Sequence, residues 1–556
     1  MGVLNQMNLM EEDVRARRPL FPAKVVLTNG TVRGVEQLLR PKPLQIGLAE
    51  PEVTELDNRD TGETAGILLD FGVELHGTLR LLAFVGEGGA PLRVRITLGE
   101  SAAEAMSDVG VQNATNDHAV RDMEVAVPSY SDQEFGPSGF RFAFIRLLTP
   151  QGCLRLKAAV AVCIYRDLPY IGSFRCDDQR LNRIYDVAAY TCHLCMQNLL
   201  WDGIKRDRLV WIGDMHPEML TIRTVFGGVD IVPRSLSFVR DQTPLPGWMN
   251  GMPAYSLWWL LILRDWYRYT GDRNLLEEQR EYVLALLRQV ASCVGGEGED
   301  TLPDHFLDWP TSGTPAAVGG VRGLLALTLD AGEDLAGLYG DEAAAALCRS
   351  KAAVLRRRGA DPCGSKPALA ILSLAGMVPA GPASDGLAAG GAEGMSTFMS
   401  YYILTALAKG GRMEDALAIL KDYYGGMLDM GATTFWEDFD IRWLDNAAPI
   451  DRPVTEGKND IHGNQGAYCY QGFRHSLCHG WASGPAPFLA ERVLGIHIEG
   501  DGCSKIRLLP DLGHLQWAEG TFPTPAGVLT VSHTRRPDGS VATVFDAPDG
   551  IKVECG

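Results

Sequence analysis

The spacing of hydrophobic residues divides the chain into three regions. From about residue 20 to 165 the apolar runs are short, and in LRVRITL they alternate with polar residues, which predicts β-strands. From about 177 to 498 apolar residues recur at helical spacing over long segments. Strand-like runs such as SKIRLLP and GVLTVSHTRR return from about 503 onward. We therefore expect a helical region between two regions of β-structure.

Turns rich in Gly, Pro, Asn and Asp separate the strands of the first region, as in a β-sandwich. We predict an N-terminal β-sandwich domain over 1–170, with a supporting role. The third region predicts a small C-terminal β-domain over 499–556.

The middle region, 171–498, predicts about eleven helices. The first opens with an Asp cap at DDQRL and carries apolar residues at helical spacing. The others are expected near 216–226, 233–241, 253–270, 273–294, 320–339, 341–358, 366–377, 396–410, 413–428 and 482–495. YTGD at 269–272 and LYGD at 338–341 each end one helix and begin the next, and this repeated hairpin favours an (α/α) barrel or a solenoid. GPASDGLAAGGAEG at 381–394 is predicted to be a loop.

Composition narrows the classes of function. The 556 residues carry a net charge of −18, which argues against nucleic-acid or anionic-membrane partners because both require basic patches. The longest apolar stretch, near Tyr255–Leu263, is too short to span a bilayer. MGVLNQMNLMEEDVRARR lacks the apolar run of a secretory signal. We therefore expect a cytoplasmic protein; a homodimer is compatible with the sequence.

The twelve cysteines are scattered, and many lie in apolar contexts, which predicts buried free thiols. Cys192 and Cys195 form a C-x-x-C, but no second pair stands at zinc-site spacing. We expect no metal.

Residues 201–214, WDGIKRDRLVWIGD, hold the densest chemistry in the chain. They contain three carboxylates, two indoles and three cations: Asp202, Asp207, Asp214, Trp201, Trp211, Lys205, Arg206 and Arg208. Carboxylates transfer protons and bind hydroxyls, arginine keeps neighbouring carboxylates ionised, and indole faces pack against sugar C–H groups. The segment favours a sugar site. A charged loop closed by local salt bridges is the alternative interpretation.

The segment resembles the signature of glycoside hydrolase family 78, the α-L-rhamnosidases. Asp202, Asp207, Arg208-Leu209, Trp211 and Gly213-Asp214 fall on its pattern. DWP at 308–310, GATTFWEDFD at 431–440 and SLCHGWASGPAPFLAERVLGI at 476–496 agree in order and rough spacing. The resemblance covers roughly 170–500, more weakly the flanks, and implies a closed (α/α)6 barrel between the two β-domains. The chain departs from the family at Asp207, where Glu is usual.

The resemblance implies an inverting mechanism with two carboxyl groups roughly 6.5–9.5 Å apart. Asp207 aligns with the general acid and Glu437, in TTFWEDFD, with the general base. Asp is one methylene shorter than Glu, and Arg206 and Arg208 flank it. The acid role could therefore have moved, and Asp202 and Asp214 are the alternatives.

Nine residues in or near the motif segments are expected to bind the sugar. These residues are Asp202, Arg206, Trp211, Asp214, Asp308, Trp309, Trp436, Trp443 and His479. Asp308 would accept hydrogen bonds from ring hydroxyls, while Trp309 and Trp436 would form an apolar wall against the C5 methyl group. His479, in CHGW, matches a family histidine that lines the pocket. Each also has a structural alternative, and Trp259 is expected in the core.

The sequence therefore predicts an inverting exo-α-L-rhamnosidase acting on a rhamnosyl glycoside without a cofactor. Another enzyme on the same scaffold is the first alternative, either a hydrolase for a different deoxy sugar or a lyase. For a lyase, Lys205 and Arg206 would bind a uronate carboxylate. A non-catalytic carbohydrate-binding protein is the second alternative.

Overall fold

The computed structural model describes residues 13–59, 62–87 and 91–556. The first twelve residues, with most of the segment expected to lack a secretory signal, lie outside it. Nine described strands form an antiparallel sheet: β1 (Arg15–Leu20), β2 (Lys24–Asn29), β3 (Thr31–Arg33), β4 (Thr54–Asp57), β5 (Gly66–Glu87), β6 (Leu92–Gly99), β7 (Asp122–Val127), β8 (Ser131–Leu147) and β9 (Cys153–Arg166). A short helix, α1 (Ala102–Met106), follows β6.

The long strand β5 organises this sheet. It pairs with β8 on one side; on the other it pairs first with β2 and then, from Gly77 onward, with β9. Alternate residues of β5 face the apolar core of the N-terminal region, among them Ile67, Leu69, Leu79 and Leu81. The β-strands predicted for this region are found, with the short helix α1 between β6 and β7. These nine strands belong to one hydrogen-bonded sheet, and the two-layered sandwich stays a prediction.

Eleven helices follow in the described chain before residue 430. They are α2 (Gln179–Cys195), α3 (Met215–Val225), α4 (Ile231–Gln242), α5 (Pro253–Thr270), α6 (Arg273–Ser292), α7 (Pro315–Leu338), α8 (Glu342–Arg358), α9 (Lys366–Leu374), α10 (Ala380–Ala388), α11 (Ser400–Lys409) and α12 (Met413–Asp429). The predicted helix at 482–495 is a short α13 (Pro485–Phe488) continued by a π-helical turn, Leu489–Val493.

Two Gly-Asp turns end one helix and begin the next, as predicted. Gly271 adopts φ 68°, and its N–H donates to Tyr267 O at 2.7 Å. Asp272 then caps α6 by accepting from two backbone N–H groups. In the second turn Gly340 has φ 73° and Asp341 caps α8. Glycine enters the left-handed region without steric cost, and the carboxylate satisfies helix N–H groups, so these joints are fixed by local chemistry.

The prediction of a loop at 381–394 is wrong over its first half, because α10 forms there. Pro382 lies in the first turn of the helix, where no backbone N–H is required. Ala383 and Leu387, four residues apart, are fully buried. Burial of this face outweighs the low helix propensity of the two glycines within α10.

The described chain closes with short strands. Four have two residues each: β11 (Ala447–Ala448), β12 (Asn459–Asp460), β13 (Gly466–Ala467) and β14 (Tyr470–Gln471). Six longer ones are β15 (Ile496–Ile498), β16 (Lys505–Leu508), β17 (Trp517–Thr524), β18 (Gly527–Arg535), β19 (Val541–Asp546) and β20 (Lys552–Cys555). The strand β10 (Ser173–Cys176), immediately before α2, pairs with β17. The C-terminal sheet therefore includes the strand that leads into the helical region.

The helical region has a large apolar core in which Trp259 is fully buried, as predicted. Its indole N–H donates to Leu236 O at 3.1 Å. All twelve cysteines are free thiols, as predicted. Most of them are buried, but Cys363 and Cys555 are exposed. None of the described helices combines the length and apolarity needed to cross a membrane.

Candidate active site

Residues 201–214 form an irregular connection between α2 and α3. Asp202 and Leu209 hydrogen-bond to each other: the Asp202 N–H donates to Leu209 O at 3.0 Å, and its carboxylate accepts from the Leu209 N–H at 2.9 Å. This closes a small loop in which Asp207 and Arg208 have positive φ values of 54° and 56°. Backbone strain of this kind is concentrated at functional sites.

Two further segments lie against this loop. The Glu437 N–H donates to Ser476 O at 2.9 Å, and the Ser476 N–H donates to the Glu437 carboxylate at 3.1 Å. The Gly480 N–H donates to Asp202 O at 2.7 Å. Three of the predicted motif segments therefore meet through backbone hydrogen bonds and one side-chain hydrogen bond, which fixes the relative positions of their side chains.

These segments surround a cavity of about 210 Å³. Eight of the predicted site residues line it: Asp202, Arg206, Asp207, Trp211, Asp214, Trp309, Glu437 and His479. Its wall is completed by residues that include Asn250, Met252, Tyr255, Phe306, Cys469 and Trp481. The cavity thus combines carboxylates with aromatic faces.

Arg206 joins Asp207 to Glu437. One guanidinium nitrogen lies 3.2 Å from Asp207 Oδ1, and another hydrogen-bonds to Glu437 Oε1. The arginine and Glu437 side chains are only 8% and 4% exposed, so this ion pair is desolvated. Asp207 is more exposed, and its other oxygen accepts from Trp211 Nε1 at 3.1 Å. Two carboxylates distant in sequence are thereby held by one cation.

Asp202 and Asp214 occupy a drier part of the cavity. Burial raises the pKa of both carboxyls well above the ordinary Asp value. The Tyr255 hydroxyl donates to Asp214 at 2.7 Å, and Gly213 packs so closely on the Tyr255 ring that an added Cβ would lie 2.4 Å from it. Glycine at 213 therefore allows α5 to approach the start of α3.

His479 faces three carboxyl groups. Its Nε2 lies 3.7 Å from Asp202, 3.8 Å from Asp214 and 3.7 Å from Glu437, beyond hydrogen-bond distance in each case. Burial lowers its pKa to about 3, so the imidazole is neutral at pH 7. Its Nε2 can therefore bond to a hydroxyl group placed between these carboxyls.

Two cations of the motif point away from the cavity. Arg208 donates to His118 O and lies 5.8 Å from the Trp201 ring. Of the two arginines that flank Asp207, only Arg206 contacts it among the described residues. Lys205 is buried against Glu100 and Glu104, at 2.9 and 3.2 Å. It is not a cavity cation for a uronate, which removes one of the two residues named for a lyase.

Three predicted sugar contacts do not line the cavity. Trp436 is fully buried in the core, at 5.7 Å from the Phe439 ring, because neighbours along the chain point in different directions and Glu437 takes the cavity side. Trp443 packs on Phe439 and His475. Asp308 accepts from the Trp309 N–H at 2.8 Å and from the Ser396 hydroxyl, so it holds the turn that presents Trp309.

Sequence reasoning missed several residues that line the cavity or contact its side chains. Trp481 packs against His479 with ring centroids 4.3 Å apart, and its indole donates to Glu437 O at 2.9 Å. It belongs to the same CHGW motif as His479 and could have been named with it. Tyr255 lies at the start of α5, and only the three-dimensional approach to Asp214 distinguishes it from a core tyrosine. His118, from the N-terminal region, lies 3.3 Å from Asp207.

One buried cluster has the composition of a metal site. The ligand atoms of Glu100, Glu104 and His462 lie within 4.8 Å of one another. The Lys205 ammonium makes ion pairs with both glutamates, so it takes the position that a metal cation would need. The cluster is a lysine–carboxylate arrangement.

Residues 169–321 match the family model described as the bacterial alpha-L-rhamnosidase six-hairpin glycosidase domain. This chain carries a domain of that family. The match to the rhamnosidase domain includes the 201–214 segment and Asp308 and stops before Glu437. The family predicted from the motifs is confirmed for this domain, over residues 169–321. No curated protein sequence matches the chain.

Solved rhamnosidases have similar folds. The GH78 family rhamnosidase of Bacillus sp. GL1 has a TM-score of 0.75 at 22% identity, over 94% of this chain and 55% of that one. The Klebsiella oxytoca rhamnosidase with rhamnose bound has a TM-score of 0.65 at 20% identity, over 86% and 96%. The Streptomyces avermitilis alpha-L-rhamnosidase complexed with L-rhamnose has 0.67 at 17%, over 90% and 49%.

This rhamnosidase-domain chain thus spans about half of the Bacillus and Streptomyces proteins and nearly all of the Klebsiella protein. At these identities the likeness establishes a shared fold of helices and sheets.

The raised pKa of Asp202 predicts a pH-dependent stability effect. Above the unfolded pKa of about 3.9 the folded state retains this proton, so the free energy of unfolding falls as pH rises toward the folded pKa. Asp202→Asn removes this titration. Its free energy of unfolding relative to the wild type should rise between about pH 4 and pH 7 in urea titrations.

Asp57→Asn is the control with opposite sign. The hydrogen bond from Arg59 lowers the pKa of Asp57, so its stabilisation is present above the unfolded pKa. The destabilisation by Asp57→Asn should reach full size by about pH 5 and stay constant to pH 7. A pH-independent difference between Asp202→Asn and the wild type would show that Asp202 titrates normally.

Proposed function

We propose that this protein is an inverting, exo-acting α-L-rhamnosidase that releases terminal rhamnose from glycosides or oligosaccharides. The observation that carries the proposal is the Arg206 bridge between Asp207 and Glu437 within a cavity of about 210 Å³. The relatives of known structure with bound rhamnose support the choice of sugar.

We propose that the helices form an (α/α)6 barrel over 171–498, between a β-sandwich over 1–170 and a β-domain over 499–556. The six-hairpin description of the matched family supports this arrangement. So does the position of the cavity at the starts of alternate helices, because Asp214 precedes α3 and Met252 precedes α5. Helix starts that converge on one pocket are expected at the mouth of such a barrel.

In the proposed reaction Asp207 is the general acid and Glu437 the general base. Asp207 transfers its proton to the glycosidic oxygen as the bond from that oxygen to the anomeric carbon breaks. A water molecule that loses its proton to Glu437 attacks the anomeric carbon from the opposite face, which inverts the configuration. Side chains supply both proton transfers, so the step needs no cofactor.

Asp202 is the alternative proton donor. Burial raises its pKa well above the ordinary Asp value, which favours the protonated form that a general acid requires. Two observations support Asp207: it is more exposed than Asp202, and Arg206 joins it to Glu437. We assign Asp202 and Asp214, with His479 between them, to the ring hydroxyls.

The cavity volume supports removal of a single terminal sugar. Sites for drug-sized ligands typically occupy about 300–1,000 Å³, and a cavity of about 210 Å³ has room for one pyranose ring. The aromatic walls, Trp211, Tyr255, Phe306 and Trp309, suit a sugar with a methyl group at C5.

A panel of p-nitrophenyl glycosides tests the substrate. L-Mannose differs from L-rhamnose by one hydroxyl group at C6, which an apolar wall rejects by only about 10²-fold. α-L-Fucosides place ring hydroxyls elsewhere and leave buried polar groups unpaired, which should reduce kcat/KM further. We expect the order rhamnoside, mannoside, fucoside. A fucoside that equals the rhamnoside would exclude the proposed specificity, and the absence of turnover on every glycoside would favour a non-catalytic sugar-binding protein.

The leaving group tests the two catalytic assignments. Asp207→Asn should reduce kcat/KM for an alkyl α-L-rhamnoside by about 10²–10⁴-fold and much less for the p-nitrophenyl substrate, because nitrophenolate leaves with little protonation. Glu437→Gln should reduce both by similar factors, because each reaction needs the base. Equal losses in Asp207→Asn would remove the acid assignment; the same comparison on Asp202→Asn then identifies the alternative donor. Glu281→Gln, on the exposed surface of α6, is the control.

A further inference from the structure

A buried charge cluster joins the N-terminal sheet to the candidate active site. Glu100 follows β6 and is fully buried, and Glu104 in α1 is likewise inaccessible. Lys205, from the motif connection between α2 and α3, inserts its ammonium between them at 2.9 and 3.2 Å. Ser101 and Glu104 cap α1 together: Ser101 accepts from the Glu104 N–H, and Glu104 accepts from the Glu100 N–H. The cap fixes the backbone that carries Glu100.

Glu100 binds the segment that holds Glu437. One carboxylate oxygen accepts from the Leu477 N–H at 2.6 Å, and the other accepts from the Ser476 hydroxyl at 3.3 Å. The Ser476 N–H in turn donates to Glu437 Oε2 at 3.1 Å. Glu100, which follows a strand of the N-terminal sheet, is therefore linked to the proposed general base through one intervening residue, Ser476.

Lys205 connects the same cluster to the loop of the proposed general acid. Besides its two ion pairs, it donates to Phe473 O at 2.9 Å and to His475 O at 2.5 Å. The next residue along the chain is Arg206, which contacts both Asp207 and Glu437. The cluster thus binds the residues that precede Ser476 on one side and the residue that precedes Arg206 on the other.

We propose that Glu100 is a positioning residue for the reaction, and that with Lys205 it sets the distance between the acid-bearing and base-bearing segments. The inference rests on the proposed function. It gives the N-terminal sheet a role in catalysis, although the sheet contributes neither catalytic carboxylate. Removing the outer hydrogen-bond partner of a metal ligand typically reduces activity by about 10–100-fold, and we expect an effect of this size for the partner of a catalytic carboxylate.

Glu100→Ala and Glu100→Asp are the test variants in the full-length protein. Glu100→Ala removes both acceptors, so kcat on p-nitrophenyl α-L-rhamnoside should fall by about 10–100-fold with KM little changed, because a displaced base weakens only the transition state. Glu100→Asp keeps the charge and should recover part of the loss. If Glu100→Ala does not fold, Glu100→Gln takes its place; the amide oxygen retains one acceptor and the charge is lost.

Asp57→Asn controls for loss of a buried carboxylate in the same sheet. Asp57 is 1% exposed and pairs with Arg33 and Arg59, away from the catalytic segments. The substitution Asp57→Asn should lower the free energy of unfolding and leave kcat and KM at wild-type values. A wild-type kcat in folded Glu100→Ala, or an equal kcat loss in Asp57→Asn, would overturn the positioning role.

A crystal structure of Glu100→Ala separates this inference from the proposed function. We expect the Ser476 N–Glu437 hydrogen bond to be broken and the Glu437 carboxylate to be displaced. If wild-type protein does not hydrolyse rhamnosides, the proposed function fails, and the position of Glu437 in this crystal structure still decides the inference. An unmoved carboxylate would overturn it.

Discussion

The candidate active site depends on one desolvated ion pair, between Arg206 and Glu437. The two residues are 231 positions apart in sequence and meet inside the protein, where each has less than a tenth of its side chain exposed. Separating such a pair leaves an uncompensated buried charge, which is strongly destabilising. Because the same guanidinium also contacts Asp207, the pair fixes the distance across which the proposed proton transfers act.

The environment of the other carboxyl groups in the cavity limits the negative charge beside this ion pair. Arg206 pairs with Glu437 and also contacts Asp207, which must carry a proton for the proposed reaction, while burial favours the neutral forms of Asp202 and Asp214. His479 is also neutral and therefore adds no second cation near Arg206. The cavity thus has a charged side at the proposed reacting bond and a neutral hydrogen-bonding side. A neutral sugar can be bound on the second side without competing for the ion pair.

Features that depend on a few adjacent residues were predictable from the sequence. The Gly-Asp turns between helices and the Asp cap of α2 depend on a few adjacent residues, and their predictions are confirmed. The motif at 201–214 likewise brings its aspartates to one cavity. α10 was missed because burial of Ala383 and Leu387 outweighs local propensity, which only the packed structure reveals.

Long-range placement was harder to predict. Trp436 and Glu437 are neighbours in sequence, yet the indole lies in the core and the carboxylate in the cavity. Lys205 and Arg206 separate in the same way, one toward Glu100 and one toward Glu437. The direction of a side chain in an irregular segment depends on the contacts of the surrounding domains, so sequence proximity to a motif does not assign a residue to the site.

The stereochemistry of the first product tests the central claim most directly. Wild-type protein would be mixed with p-nitrophenyl α-L-rhamnoside, and proton NMR would follow the anomeric signal before the released sugar equilibrates. We expect β-L-rhamnose to appear first, because water activated by Glu437 attacks opposite the leaving group that Asp207 protonates. An initial α-anomer would require a nucleophilic carboxylate and a closer carboxyl pair, and it would contradict the roles assigned to both residues.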